Sequence, residues 1–353
     1  MAAEHGIGRK ALTAYLNASG LLGPGGSVEI ELMAGGRSGN VTALVRLPGR
    51  DLVLRRPPLG KYDPRAYDVS REYRFISALA PSTVPVAAPV LLNEDTSVLG
   101  APFYLMERVQ GRILTGAGDA TDIVAAGELE QLAAMVVAAM AQLHAVEPSA
   151  VGLGEVGRPR GYVERQVRRW TTQWEERRPR EIPEFDEIAR RLRAVVAAGS
   201  VELDPKRPAI VHGDFNLSNL ILAPKALAVR AVLDWEQATV GHPLVDLGVL
   251  MTHNGPWQNR ILNVEDGIGS LPGFPSPQWL AERYSELTGE DISDIAFFHL
   301  LAVFKIVVIT EDVRQRHLAG LAIGDQYEGL GAYAAELAAE ALEMASASGV
   351  RGL

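Results

Sequence analysis

The chain has no cysteine among its 353 residues, and this absence excludes three kinds of site at once. Disulfide bonds, thiolate metal sites and cysteine nucleophiles all need a thiol that the sequence does not supply. The function must therefore be sought among the other reactive side chains.

The sequence also lacks the apolar runs that direct a chain to a membrane or to secretion. Residues 1–6 contain no basic segment leading into an apolar one, as a secretion signal would. The most apolar later runs are interrupted by Gln142 and Lys305 before they reach the roughly 20 residues of a membrane span. We therefore expect a cytoplasmic protein with no membrane contact.

Positive charge is in deficit, because 34 Lys and Arg residues stand against 43 Asp and Glu residues, for a net charge of -9. This balance argues against a nucleic-acid partner. A hydrophobic content of 47% with 22% charged residues is typical of a soluble globular protein. A chain of 353 residues is long enough for a full core and is expected to split into two lobes. The oligomeric state stays open.

The most informative segment is residues 211–219, which reads VHGDFNLSN. It contains a His-x-Asp motif ending at Asp214, followed five residues later by Asn219, and Asp234 comes twenty residues after Asp214. Kinase-type phosphoryl transfer uses these groups in this order. One carboxylate orients the attacking hydroxyl, while an amide oxygen and a second carboxylate bind Mg²⁺.

The surroundings of this motif decide between a site and an ordinary turn. Asp and Asn are turn-forming residues, so the motif alone is also compatible with a loop. Three short apolar runs flank it, however, and each predicts a buried strand. Asp214 and Asn219 then share one loop, and Asp234 ends the next strand. The runs are residues 209–211, 220–222 and 229–233.

These segments, with others along the chain, resemble the aminoglycoside phosphotransferase-like family. In detail the chain is similar to the phosphotransferase domain fused to some acyl-CoA dehydrogenases and to its stand-alone bacterial relatives. The matching pieces follow the family's order from about residue 28 to residue 320. Besides the two loops above they are residues 35–40, 52–58, 71–74, 103–107 and 162–170.

The resemblance implies an α+β, bilobal protein-kinase-like fold. A small N-terminal lobe with an antiparallel sheet and a leading helix would span residues 1–108 and bind nucleotide. A mainly helical C-terminal lobe, residues 109–353, would carry the catalytic loop, the metal site and substrate-binding insertions. The implied cofactors are ATP and Mg²⁺, with Asp214 as catalytic base and Asn219 and Asp234 as metal ligands.

A glycine-rich hairpin and a strand arginine are the predicted nucleotide contacts. Alternating strands flank residues 35–40, and the tip of such a hairpin exposes backbone N–H groups that can close over phosphates. Arg55 stands where protein kinases have a phosphate-binding lysine, and Glu72 is its expected ion-pair partner. Alternation along the strand favours Arg55 over Arg56 as the inward residue. The resemblance adds Ser38, Gly39 and Asn40 at the triphosphate and the backbone near Glu107 and Val109 at the adenine.

The acceptor site is predicted from charge. Residues 158–193 hold eleven Arg and seven Asp or Glu, which is either a salt-bridged helical surface or a basic wall of the acceptor site. Trp170 and Trp174 lie four apart on one helical face. A Gly-, Pro- and Trp-containing loop, residues 253–278, would lie over the cleft and select the substrate. We expect a neutral or anionic hydroxyl compound, either a hydroxyacyl thioester or hydroxy acid, with an aminoglycoside as the alternative.

Several side chains near the motif are expected to act structurally. By resemblance Asp246 supports the catalytic loop and His212 packs it, and His144 is expected to be structural. Family members commonly have Asp where this chain has His242, so the following helix is expected to lack its usual cap.

Two other classes of function compete with a small-molecule kinase. A catalytically silent nucleotide-binding module would account for the fold and for the unusual Arg55, but it leaves the acidic motif without a purpose. A metallohydrolase would use the acids but leaves the glycine hairpin and the Arg55–Glu72 pair unexplained. Its ligands would be His212, Asp214, Asp234 and His242. The kinase interpretation accounts for the most features.

Overall fold

The computed structural model describes most of the chain as an α+β fold. Its described residues are 6–33, 40–58, 67–114, 116, 118–119, 127–177, 180–254, 267–320 and 329–353. Within them are ten α-helices and nine strands. The chain divides into two compact units, one of residues 1–111 with 230–238 and one of residues 112–229 with 239–353.

The first unit contains a five-stranded antiparallel sheet. Its strands are β1 (Glu29–Leu32), β2 (Val41–Leu47), β3 (Arg50–Arg56), β4 (Pro89–Asn93) and β5 (Phe103–Glu107). The strand order is β1-β2-β3-β5-β4, so β3 is central. Before β4, Val86 forms an isolated bridge with Val232, and the regular pairing of the strand begins at Pro89.

Three helices complete this unit: α1 (Arg9–Ala18), α2 (Val69–Leu79) and α3 (Thr96–Leu99). The apolar face of α1, with Leu12 and Leu16, packs into the same core as the sheet residues Leu52 and Leu54. Helix α2 begins where the Asp68 carboxylate accepts a hydrogen bond from the Arg71 amide at 3.0 Å. This start fixes the first turn of α2.

The second unit is mainly helical. Its helices are α4 (Leu129–Ala145), α5 (Tyr162–Arg177), α6 (Pro183–Ala198), α7 (Leu244–His253), α8 (Pro277–Thr288), α9 (Ile295–Leu318) and α10 (Ala334–Ala347). Short strands follow α6: β6 (Ala209–Val211), β7 (Leu220–Leu222), β8 (Val229–Val232) and β9 (Thr239–Gly241). β6 pairs with β9 in antiparallel fashion. A Cβ at Gly248 would collide with the carbonyl of Phe298, so glycine allows α7 and α9 to approach closely.

Residues 230–238 leave the helical unit and belong to the first one. The Val232 amide donates to the Pro85 carbonyl at 2.8 Å, and the Trp235 ring stacks on Phe75 of α2 with centroids 6.4 Å apart. These contacts bring Asp234 into the first unit.

In the part of the chain that the structure describes, no helix combines the length and the apolarity that crossing a bilayer requires.

Candidate active site

Arg55 lies at the centre of an ion-pair cluster in the first unit. Its Nε atom is 3.0 Å from Glu72 Oε2, and one terminal nitrogen is 3.3 Å from Asp234 Oδ1. The Glu72 side chain is 1% exposed and that of Arg55 is 11% exposed. The Arg55 guanidinium thus connects β3 with α2 and with the segment after β8. Its planar fork of N–H donors allows it to bind both carboxylates.

Glu72 is held by two further side chains. Tyr104 donates its hydroxyl to Oε2 at 2.9 Å, and Asn40 donates its amide to Oε1 at 2.8 Å. Sheet register explains the Tyr104 contact, because Tyr104 lies opposite Arg55 on the neighbouring strand and shares its face. Burial raises the pKa of Glu72, while the Arg55 charge opposes that shift.

Neighbouring carboxylates stabilise the charged form of Arg55. Burial lowers the pKa of its guanidinium, but the Glu72 and Asp234 carboxylates outweigh burial and the net shift is upward. Arg56 points elsewhere and donates to the carbonyls of Gly6 at 2.6 Å and Leu99 at 2.9 Å. The prediction from strand alternation that Arg55, rather than Arg56, points inward toward Glu72 is therefore confirmed.

Asp234 adopts an unusual backbone conformation. With φ 65° and ψ 63° it is the single non-glycine residue of positive φ within the described part of the chain. This left-handed conformation costs an ordinary L-residue roughly 1–2 kcal/mol, although Asp and Asn tolerate it best. Strain of this kind concentrates at functional sites, where it aims a side chain.

The remaining predicted nucleotide contacts divide into two groups. Ser38 and Gly39 lie outside the described residues, whereas Asn40 is buried against Glu72. Glu107 ends β5; its amide donates to Ala88 O at 2.9 Å, and its carboxylate accepts from Arg50 Nε at 2.8 Å. Val109 follows two residues later and is half-buried. The Glu107 side chain is thus engaged, so a contact with adenine would use the backbone.

The catalytic-loop motif lies in the second unit, between β6 and β7. The Asn219 amide nitrogen donates to the Asp214 carboxylate Oδ2 at 3.0 Å and to the Asp214 carbonyl at 2.9 Å. These bonds fix the Asp214 carboxylate and direct the Asn219 amide oxygen away from it. Such an oxygen suits Mg²⁺, which prefers carboxylate, amide and phosphate oxygens.

Asp246 anchors the same loop from α7. Its carboxylate accepts from the backbone amides of His212 and Gly213, both at 2.7 Å. His144 Nε2 lies 3.1 Å from the same carboxylate, and His144 Nδ1 lies 2.8 Å from the Tyr284 hydroxyl. Asp246 thus supports the loop as expected, and the contacts of His144 are those of a structural residue.

Helix α7 begins without its usual cap, as expected, because Pro243 at the cap position offers no side-chain hydrogen bond. The Nδ1 atom of the preceding His242 accepts a hydrogen bond from the Leu244 amide at 3.2 Å. Burial lowers the pKa of His242 to about 4, and only the neutral imidazole has a nitrogen lone pair to offer. A neutral histidine therefore replaces the aspartate that is common in the family.

Two basic side chains near Asp214 were not predicted as site residues. His253, at the end of α7, places Nε2 3.7 Å from Asp214 Oδ1, which is an electrostatic contact rather than a hydrogen bond. Lys305, within α9, donates to the carbonyl of Gly213. The available sequence signal was a lysine inside an otherwise apolar helical run.

Most of the described arginines among residues 158–193 are engaged in ion pairs. Arg180 pairs with Glu311 at 2.5 Å, and Arg191 pairs with Glu187 at 2.8 Å. Arg160, Arg177, Arg190 and Arg193 are also paired, with Asp204, Asp312, Glu187 and Glu175. The salt-bridged surface therefore accounts for much of the local charge. A groove on α5 is nevertheless lined by four arginines and one acid: Arg165, Arg168, Arg169, Arg177 and Glu176.

A metallohydrolase would need several convergent ligands. Among the described residues no group of three or more His, Cys, Asp or Glu side chains could hold a metal ion. His212 and His242 instead accept from the backbone amides of Asp214 and Leu244. The hydrolase alternative therefore has no support in the described residues.

Comparison with protein families identifies the chain. The model described as phosphotransferase enzyme family matches residues 29–280, which is more than half of the sequence. The chain belongs to this family. The expected kinase-like fold is confirmed by solved structures of the same class.

Relatives with solved structures support the assignment. A protein of Ralstonia eutropha JMP134 assigned to the aminoglycoside phosphotransferases is 32% identical, with a TM-score of 0.76 over 96% of this chain and 98% of its own. Aminoglycoside 2'-phosphotransferase-IIIa in its GDP complex has a TM-score of 0.58 over 96% of this chain and 98% of its own, but at 16% identity it shows the fold alone.

Curated relatives carry a different name. The chain is 34% identical over 330 residues to acyl-CoA dehydrogenase family member 11 of Gallus gallus, covering 91% of this chain and 41% of the relative. The human protein of the same name is 34% identical over 326 residues, covering 90% and 40%. The chain thus spans about two fifths of the length of these relatives.

Two buried histidines predict the pH dependence of stability. Burial lowers the pKa of His242 and of His299 from 6.5 to about 4. Between these values the unfolded chain is protonated at both positions and the folded chain is not, so their contribution is full above pH 6.5 and is lost as pH falls toward 4. The free energy of unfolding should fall by up to about 3 kcal/mol per histidine. Urea denaturation across this window measures the fall.

His299→Leu serves as the control for this prediction, because it removes one of the two titrating groups. Its free energy of unfolding should change less with pH than that of the wild type. Equal pH slopes for the two proteins would contradict the assignment of His299.

Proposed function

We propose that this phosphotransferase is an ATP- and Mg²⁺-dependent kinase of a small hydroxyl compound. The observation that carries the proposal is the Asp214 loop: a carboxylate fixed by Asn219 at 3.0 Å, on a loop anchored by a buried aspartate. Protein-kinase-like enzymes need such a group to orient and deprotonate the acceptor hydroxyl.

The proposed reaction assigns one task to each part. The acceptor hydroxyl gives its proton to Asp214, its oxygen bonds to the γ-phosphorus, and the bond from that phosphorus to the β–γ bridging oxygen breaks, releasing ADP. Arg55 would meet the α- and β-phosphates while Glu72 keeps it in place. Asn40, Ser38 and Gly39 would lie near the triphosphate, and the backbone at Glu107 and Val109 would receive the adenine.

Asn219 and Asp234 would hold Mg²⁺, which neutralises phosphate charge when bound. The donor set fits this ion, because it consists of one amide oxygen and one carboxylate oxygen, and Mg²⁺ completes its shell with water and phosphate. An ion pair with Arg55 at 3.3 Å restrains the Asp234 carboxylate that would bind the ion.

For the acceptor we propose a hydroxyacyl thioester or a hydroxy acid. The names of the acyl-CoA dehydrogenase relatives support this class, and so do Arg168 and Arg169, exposed residues that line the α5 groove. Arginine binds phosphate and carboxylate groups through paired hydrogen bonds. A polycationic aminoglycoside, which the names of the structural neighbours favour, would instead need a cluster of carboxylates.

Binding experiments separate the two acceptor classes. The protein is titrated with hydroxyacyl-CoA compounds and with kanamycin-type aminoglycosides, each in the presence of a non-hydrolysable ATP analogue. We expect saturable binding of the thioesters, weakened in the double variant Arg168→Ala/Arg169→Ala. Saturable micromolar binding of the aminoglycosides alone would overturn the proposed acceptor class.

A further inference from the structure

Lys305 is a buried charge within the apolar part of α9. Its neighbours in sequence, Phe304 and Ile306, are buried, and Lys305 itself is only 7% exposed. Burying an ammonium group costs several kcal/mol unless polar partners compensate it. The partners of this ammonium therefore indicate what the charge does.

The ammonium contacts the catalytic loop. Lys305 Nζ donates a hydrogen bond to the carbonyl of Gly213, the residue before Asp214. The same nitrogen lies 5.9 Å from the centroid of the Trp170 ring, within the range of a cation–π contact. Lys305 thus reaches the loop from a helix that supplies none of the predicted site residues.

The carbonyl that Lys305 binds belongs to the peptide group joining Gly213 to Asp214. The N–H of the same peptide group donates to His212 Nδ1 at 3.2 Å, so this plane is held at both ends. Gly213 has φ 84°, and glycine by itself adopts many conformations. External hydrogen bonds must therefore set the orientation from which Asp214 extends.

We propose that Lys305 is a positioning residue for Asp214. Asp246 holds the two preceding N–H groups of the loop with a negative charge, and Lys305 holds the following carbonyl with a positive one. Charge-assisted hydrogen bonds are about twice as strong as neutral ones. The two charged side chains therefore hold the backbone of residues 212–214 in one orientation. The catalytic consequence rests on the proposed function, whereas the effect on loop order does not.

The test compares Lys305→Met, which removes the donor and the charge, with Lys305→Arg, which keeps both. Arg316→Met, an exposed position on the same helix, is the matched control. We expect Lys305→Met to lower kcat by about 10- to 100-fold, because small misplacements of a catalytic group have effects of that size. KM and nucleotide affinity should stay unchanged, and Lys305→Arg should recover most of the activity.

A double-mutant cycle with Asp214→Asn identifies the route of the effect. If Lys305 acts through Asp214, Lys305→Met should lower turnover no further once Asp214 is asparagine. An equal fold-loss in both backgrounds would overturn the proposal. So would a raised KM with an unchanged kcat, because that result would place Lys305 against the acceptor instead.

Hydrogen exchange of the loop gives a readout that needs no enzymatic activity. A peptide covering residues 209–216 should exchange its amide hydrogens faster in Lys305→Met, and in the milder Lys305→Gln, than in Arg316→Met. Unchanged exchange would overturn the proposal. If the wild-type chain transferred no phosphoryl group, the proposed function would fail, but this comparison would still decide the role of Lys305 in the loop.

Discussion

Replacing Asp214 by asparagine is expected to lower turnover by about 10²-fold or more while ATP affinity persists. Asparagine keeps the shape of the side chain and its bond with Asn219 but cannot accept the proton of the acceptor hydroxyl. Binding of a nucleotide analogue, measured by calorimetry, should match the wild type. ADP release measured in parallel should show the loss.

Asp291→Asn is the matched control for this experiment. It removes a carboxylate of the same unit, one that accepts hydrogen bonds from Ser293 rather than from the catalytic loop. Its turnover should stay close to that of the wild type. Near-normal turnover in Asp214→Asn would place the chemistry elsewhere.

Mg²⁺ is expected to raise the ATP affinity of the wild-type protein, and replacing Asp234 should lower the affinity measured with Mg²⁺ by at least about 10²-fold. Loss of a residue that only supports a metal ligand already costs up to that factor, and Asp234 would be a ligand itself. Because the backbone at Asp234 is left-handed, the choice of substitution affects the stability of the variant. Alanine is strained there by about 1 kcal/mol, whereas asparagine tolerates the conformation. Asp234→Asn should therefore keep the thermal stability that Asp234→Ala loses.

Calorimetric titrations with ATP, with and without Mg²⁺, measure this effect, and thermal unfolding of both variants measures the strain. Arg55 stays paired with Glu72 in either variant, so the first unit should remain folded. An undiminished Mg²⁺ effect in Asp234→Asn would remove Asp234 from the proposed ligands.

The elements that carry the site could be predicted because their signals are local. Alternation along β3 favoured Arg55 as the inward arginine, although its pairing with Glu72 was expected only from the kinase pattern. The loop between β6 and β7 was predicted from two short apolar runs around a polar motif. In each case a few neighbouring residues set the backbone, so the pattern in the sequence was sufficient.

The contacts that orient these residues could not be predicted, because they join distant parts of the chain. Asp234 meets Arg55 across 179 positions, and Lys305 meets Gly213 across 92. No spacing rule anticipates such pairs. The hydrogen bond that His242 accepts from the Leu244 amide was not predicted, for a different reason. Histidine is seldom a helix-capping residue, so it was not expected to take this role where the family has aspartate.

A count of charges in the sequence overestimates the positive charge that is available to bind an acceptor. Eleven arginines between residues 158 and 193 predict either a salt-bridged surface or a substrate wall. The structure pairs several of them with carboxylates far along the chain, including Glu311 and Asp312. The charge left for a ligand is therefore smaller than the sequence total, and it lies mainly along α5.

Transfer of the γ-phosphoryl group to a hydroxyl is the central claim, and mass spectrometry of candidate acceptors tests it most directly. The protein is incubated with ATP and Mg²⁺ and a panel of hydroxyacyl-CoA compounds, hydroxy acids and aminoglycosides, with Asp214→Asn as the blank. We expect that a hydroxyacyl compound or hydroxy acid gains the mass of one phosphoryl group, and that the blank shows none. A wild-type protein that binds ATP yet phosphorylates no member of the panel, or that phosphorylates one equally well without Asp214, would contradict this expectation.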